Sequence, residues 1–159
     1  MALHPGLRKK GSPIFSSRCT GTLTKAAGKG TILTDSAATF VASGVIVGDN
    51  FTSVGGGSSI NAVGGETYVT VNNANVLGTP RASGTATSVA ASKLKDSGAH
   101  FDTALVAVGD LVINWTTGDG TTVTVVDSAI QLEIADDIFT EVGVYKIFAP
   151  PAYTVYYAV

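Results

Sequence analysis

The sequence predicts an all-β fold built from two tandem small β-barrel or sandwich units behind an extended N-terminal arm. Three observations predict it. First, glycine is plentiful (19 of 159 residues), valine and threonine recur throughout, and Met and Trp occur once each. β-branched residues suit a pleated, half-buried surface, and glycines suit tight turns. Second, DSAATFVASGVIVGD at 35–49 returns as DSGAHFDTALVAVGD at 96–110, a constant 61 residues apart. Third, short alternating apolar runs bounded by turn residues appear along the whole chain after residue 20.

Residues 1–20 read as the arm. Pro5, Gly6, Gly11 and Pro13 interrupt every period, and Ile14 and Phe15 are the only adjacent large apolar pair. The first β unit is expected over 21–79 and the second over 84–148, with GTPRAS at 78–83 between them. GTLT at 21–24 is echoed by GTAT at 84–87, so each unit opens with a Thr-bearing strand. In each block Asp-Ser opens a turn and Phe40 or Phe101 anchors the core. Val45 and Val47, like Val106 and Val108, follow the strand period of two, and Gly-Asp closes the strand at Asp49 and Asp110.

The next strands are expected over 51–54 and 111–115. Thr67 to Val71 and Thr121 to Val125 then align as one repeated strand at an offset of 54. On that alignment the first copy carries seven extra residues in a glycine-rich loop, 55–66. Asp119-Gly120 marks a hairpin. A second turn falls at Asp127-Ser128, with Asn72-Asn73 in the corresponding place of the first copy. Residues 89–95 read as loop or strand, being too short for a stable helix. Val144 to Phe148 is a strand stopped by Pro150-Pro151, and 149–159 is a C-terminal strand or tail holding Tyr153, Tyr156 and Tyr157. A tyrosine-rich strand of this kind either joins its own sheet or pairs with another subunit. Each unit is near 60 residues, marginal for independent stability, so a shared interface or a neighbouring subunit is expected.

Charge is uneven around a net −2. Six of ten basic residues (Lys and Arg) lie in the first 30 positions, and the stretch from Asp96 to Glu141 carries nine acidic residues and no Lys or Arg. Such asymmetry suits contact with a neighbouring copy or an acidic surface. Arg8-Lys9-Lys10 is too short for a nucleic-acid footprint, and no basic stripe with interleaved aromatics supports one. No apolar run approaches a membrane span and no leader is visible, so a soluble, cytoplasmically made chain is expected.

No catalytic residue, cofactor or metal is predicted. His4 and His100 are isolated, and the lone Cys19 reads as an inert side chain. There is no G-x-S-x-G elbow, and Gly28-Lys29-Gly30-Thr31 lacks the phosphate-loop frame. Gly55-Gly56-Gly57 reads as a hairpin tip, and Asp136-Asp137 lacks the further acidic partners of a calcium loop. Asp49 and Asp110 recur with a turn and read as structural corners. The residues expected to meet a partner are Arg8, Lys9 and Lys10 as electrostatic guides, Ile14 and Phe15 as anchors, and Tyr153, Tyr156 and Tyr157 in the tail.

The unit formed by Gly21 to Thr24, Asp35 to Asp49, Gly84 to Thr87, Asp96 to Asp110 and Val123 to Ile134 resembles a module of tailed-bacteriophage virion proteins. The resemblance covers about residues 21–148. It implies small β-barrel or sandwich units and no catalytic residues. The implied function is a head-decoration (cement) protein that binds the outside of the capsid and stabilises the shell. The implied partners are the major capsid protein lattice and the chain itself, as a homo-oligomer and often a trimer. The implied location is the virion, assembled in the host cytoplasm. Two other readings stand beside it: a tail or neck component such as a connector or fibre-base module, and a carbohydrate-binding module.

Overall fold

The computed structural model describes residues 16–158. The described chain is all-β, with fourteen strands and only two short 3₁₀ turns, Gly28–Gly30 and Ala74–Leu77. The strands are β1 (Ser17–Thr22), β2 (Lys25–Ala27), β3 (Ile32–Thr34), β4 (Asn50–Ser53), β5 (Gly56–Val63), β6 (Tyr68–Val71) and β7 (Ala82–Thr85). They continue as β8 (Ser88–Ala90), β9 (Lys93–Lys95), β10 (Leu111–Asn114), β11 (Gly120–Ser128), β12 (Gln131–Ile134), β13 (Val144–Phe148) and β14 (Ala152–Tyr156).

They form two antiparallel seven-stranded sheets, ordered β1-β14-β4-β5-β6-β3-β2 and β7-β13-β10-β11-β12-β9-β8. The orders are the same once β14 is matched with β13. The tandem repeat is therefore a repeat of whole sheets. Each edge strand runs straight on into the opposite edge strand, β1 into β2 and β7 into β8, which curls the sheet around its own apolar face.

The first unit is not continuous in sequence. Its second strand in space, β14, arrives from the far end of the chain after β13 has been completed in the other sheet. Of the two expectations for the tyrosine-rich tail, the structure shows the first: β14 pairs with both β1 and β4.

Several boundaries differ from the sequence reading. β1 starts at Ser17, inside the stretch expected as arm, because Cys19 to Thr22 pair with Val155 to Ala152. The doubled block is not strand. Residues 35–49 and 96–110 are a chain of turns, and the alternation of Val45 with Val47 reflects one side chain entering the core and the next leaving it. The glycine-rich segment is not an inserted loop either: β5 occupies most of it and pairs with β4 and β6. β6 is thus the counterpart of β12, and the Thr121–Val125 run belongs to β11, the counterpart of β5. The 54-residue alignment was a coincidence of two Thr/Val patterns. The turn after β11 lies at Ala129-Ile130, two residues beyond Asp127-Ser128.

Two cores result. One gathers Leu23, Leu33, Phe40, Phe51, Ile60 and Val155 inside the first sheet, and the other gathers Leu94, Phe101, Val112, Leu132, Phe139 and Ile147 inside the second. The first core also takes in Leu111, Ile113 and Phe148 from the second sheet. β10 is consequently buried on both faces: Val112 points into its own unit while Leu111 and Ile113 point into the other. Where the units meet, the Gly28 amide donates to the Gly118 carbonyl at 2.7 Å, and Lys25 reaches Asp136 at 2.8 Å. The expected shared interface is present, and the contact runs from the β2 side of one unit to the β10–β11 side of the other.

Candidate functional site

The recurrent carboxylates are built from the backbone outward. Asp35 and Asp96 follow β3 and β9 and close Asx turns, accepting from the amides of Ala37 and Gly98 at 2.9 Å each. Their second oxygens accept phenol protons, from Tyr153 at 2.9 Å and from Tyr145 at 2.8 Å. Both tyrosines are buried, and their rings tilt against Phe40 and Phe101 at 5.8 and 5.9 Å. Burial, reinforced by the adjacent carboxylate, pushes both phenol pKa values far above the ordinary 10.0.

Glycine is required beside each pair. A Cβ on Gly21 would lie 2.7 Å from the Tyr153 hydroxyl and against Asp35, and one on Gly84 would lie 2.7 Å from the Tyr145 hydroxyl. The Gly-Thr that opens each repeat is thus a gap left for a Tyr–Asp hydrogen bond.

The second pair of carboxylates is held by arginines. Asp49 is fully buried, with Arg18 Nε 2.5 Å from its Oδ2; the contact is close but poorly aligned, so it acts as an ion pair more than as a hydrogen bond. Asp49 also accepts from the amides of Ile46 and Ala158. Arg18 is the extra residue of a β-bulge in β1, and the bulge aims its side chain at Asp49. The Arg18 guanidinium stacks 4.0 Å from the Tyr157 ring centroid. In the second unit Arg81 lies 3.4 Å from Asp110, which accepts from the Ala107 amide at 2.9 Å. Burial raises the Asp110 pKa, opposed by that amide and by Arg81.

These contacts consume the repeated polar groups, so the recurrence of aspartate is explained by folding. Cys19 is half-buried, and burial raises its thiol pKa, with Asp35 and Asp49 adding to the rise. Asp136 is paired with Lys25, which holds its carboxyl below the ordinary range. Among the described residues no group of three or more His, Cys, Asp or Glu side chains comes together.

Towards the Asp49 and Asp110 corners the turns also present large apolar side chains outward. Ile46 and Val47 are 54% and 62% exposed at the first corner, and Leu105 and Val108 are 73% and 67% exposed at the second. Leu105 adopts φ 57°, where the first copy has Gly44 at φ 71°. A β-carbon in this left-handed region is unfavourable, so the position is strained. The Arg81 guanidinium donates to the Leu105 carbonyl and holds the corner.

The expected interface residues separate. Arg8, Lys9, Lys10, Ile14 and Phe15 lie outside the described residues. Tyr153 is 3% exposed and bonded to Asp35, so it belongs to the core and offers no surface. Tyr156 is half-buried within β14, and Tyr157 is 48% exposed over Arg18. Sequence reasoning missed Tyr145, Arg18 and Arg81. The signal was present: Arg18-x-x-Gly21-Thr22 repeats as Arg81-x-x-Gly84-Thr85, and Val144-Tyr-Lys-Ile-Phe148 resembles Ala152-Tyr-Thr-Val-Tyr156.

Compared with family models, with characterised proteins and with solved structures, the chain has no match.

Proposed function

We propose that the chain is a structural protein of a bacteriophage virion that binds the outer surface of the capsid and braces neighbouring capsomers. One observation carries the binding role. In both copies the repeated carboxylates are spent internally on tyrosine, arginine and backbone amides, while the same corners expose apolar side chains, one of them on strained backbone. Strain kept at an exposed apolar residue has no value to the fold itself and suits a contact surface. The virion assignment adds to this the resemblance of the repeated unit, and weak contacts of this kind are multiplied on a lattice of many copies.

The test mixes purified protein with expanded, undecorated capsids and counts bound copies. Binding across the whole shell supports the cement role. A handful of copies at one vertex supports a tail or neck component, and no binding removes both. Removing residues 1–15 leaves β1 intact, so loss of shell binding in that variant assigns the attachment to Arg8, Lys9, Lys10, Ile14 and Phe15.

A further inference from the structure

β14 fills a slot between β1 and β4, two strands made about a hundred residues before it in the chain. Without it β1 has no neighbour in the sheet. The slot reads its strand by chemistry as well as by ladder bonds. Gly21 leaves the gap, Asp35 takes the Tyr153 hydroxyl, and the Phe51 ring stacks on Tyr153 at 4.7 Å.

The connection that delivers β14 is only Ala149-Pro150-Pro151, two of its three residues being stiff, extended prolines. It borders an open cavity of about 730 Å³ together with Val54, Leu77 and Gly78. Its own backbone tie is one hydrogen bond, from the Leu23 amide to the Pro151 carbonyl at 3.1 Å. Pro151 is buried, and withdrawing β14 takes Tyr153 and Val155 out of the first core, so the slot is closed again only when an identical strand enters it.

We propose that β14 is an exchangeable strand, and that two copies of this chain clasp each other by reciprocal insertion of Ala152–Tyr156 into the first unit of the partner copy. Closed and exchanged forms make the same contacts in the slot, so they differ mainly in the hinge and in the entropy of association. Concentration during folding then selects between them.

The register provides a reporter. Cys19 is the chain's one cysteine and lies opposite Val155 across the β1–β14 pair, a separation that a disulfide spans. Val155→Cys is unfolded, refolded under reducing conditions at a series of concentrations, then oxidised and run on a non-reducing gel. The expected product is a covalent dimer linking Cys19 of one copy to position 155 of the other. A hundredfold rise in refolding concentration raises the dimer-to-monomer ratio by about tenfold or more. Intramolecular linkage alone at every concentration overturns the proposal, as do dimers joined Cys19 to Cys19.

Unsubstituted protein gives an independent readout. Unlabelled and ¹⁵N-labelled chains are refolded together and examined by native mass spectrometry. Mixed-mass dimers that persist on dilution support exchange. Monomer alone, or dimers that redistribute promptly on dilution without unfolding, overturns it.

Discussion

Tyr145 and Tyr153 are neutral hydrogen-bond donors locked against carboxylates, and this dictates how the molecule meets alkali. Their pKa values are raised, so the folded state keeps both protons at a pH where the unfolded chain gives them up. The stabilisation is complete below about pH 10 and declines as pH rises above it, because unfolding then releases protons. A titration followed by phenolate absorbance should show these two of the five tyrosines ionising only together with loss of the near-ultraviolet circular dichroism. Smooth ionisation of all five on a folded protein would contradict the buried pairs. Leu105 makes the opposite case. Leu105→Gly relieves a left-handed backbone, less the entropy that a glycine adds to the unfolded chain, and should stabilise by about 0.5–1 kcal/mol, read as a raised midpoint in urea, while weakening the capsid binding proposed above. The recurrent aspartates and phenylalanines were legible as corners and core because both copies carry them at one spacing. The tyrosines were not, since Tyr145 and Tyr153 are eight residues apart and serve different copies.

At the scale of elements, the copies differ in the length of several turns, and two of these turns touch. The β2–β3 turn is longer in the first copy than the β8–β9 turn in the second, and the β10–β11 turn is longer than the β4–β5 turn. The longer turns meet through Gly28 and Gly118. Close by, a Cβ on Gly120 would run into the Ala26 carbonyl, a backbone atom that cannot rotate away. Gly120→Ala should therefore cost about 1–3 kcal/mol through overpacking. The loss should fall on the contact between units, splitting one thermal unfolding transition into two in calorimetry; a single transition at the original temperature would show that the tips do not couple the units. Strands β4, β10 and β13 were readable from alternation and flanking turns. β5 was hidden because its glycines carry no hydrophobic pattern: backbone pairing with β4 and β6 makes it a strand, with Ile60 its one large buried apolar side chain. The doubled block misled in the other direction: its valines have the spacing of a strand, but the chain of turns buries Val45 and leaves Val47 exposed.

The whole molecule is two like sheets joined through unlike faces. The β2 side of the first unit covers the outer face of β10. The corresponding strand of the second unit, β8, is open, with Val89 48% exposed where Ala26 is fully buried. On the other free end, β4 presents half-buried Asn50 and Thr52 where β10 presents Leu111 and Ile113. A contact of this head-to-tail kind has no internal reason to stop at two, since each added unit exposes the surface that receives the next. This predicts that the two polar side chains on β4 act as a terminator. The double substitution Asn50→Leu with Thr52→Ile should remove it, letting β8 of one copy seat on β4 of another and turning a discrete particle into filaments visible by electron microscopy and light scattering. If the doubly substituted protein stays the size of the parent, the outer face of β4 is not what halts growth. The asymmetry between Asn50 and Leu111 then describes a molecule that counts: one sheet recruits a neighbour, the other declines, and the series ends at two.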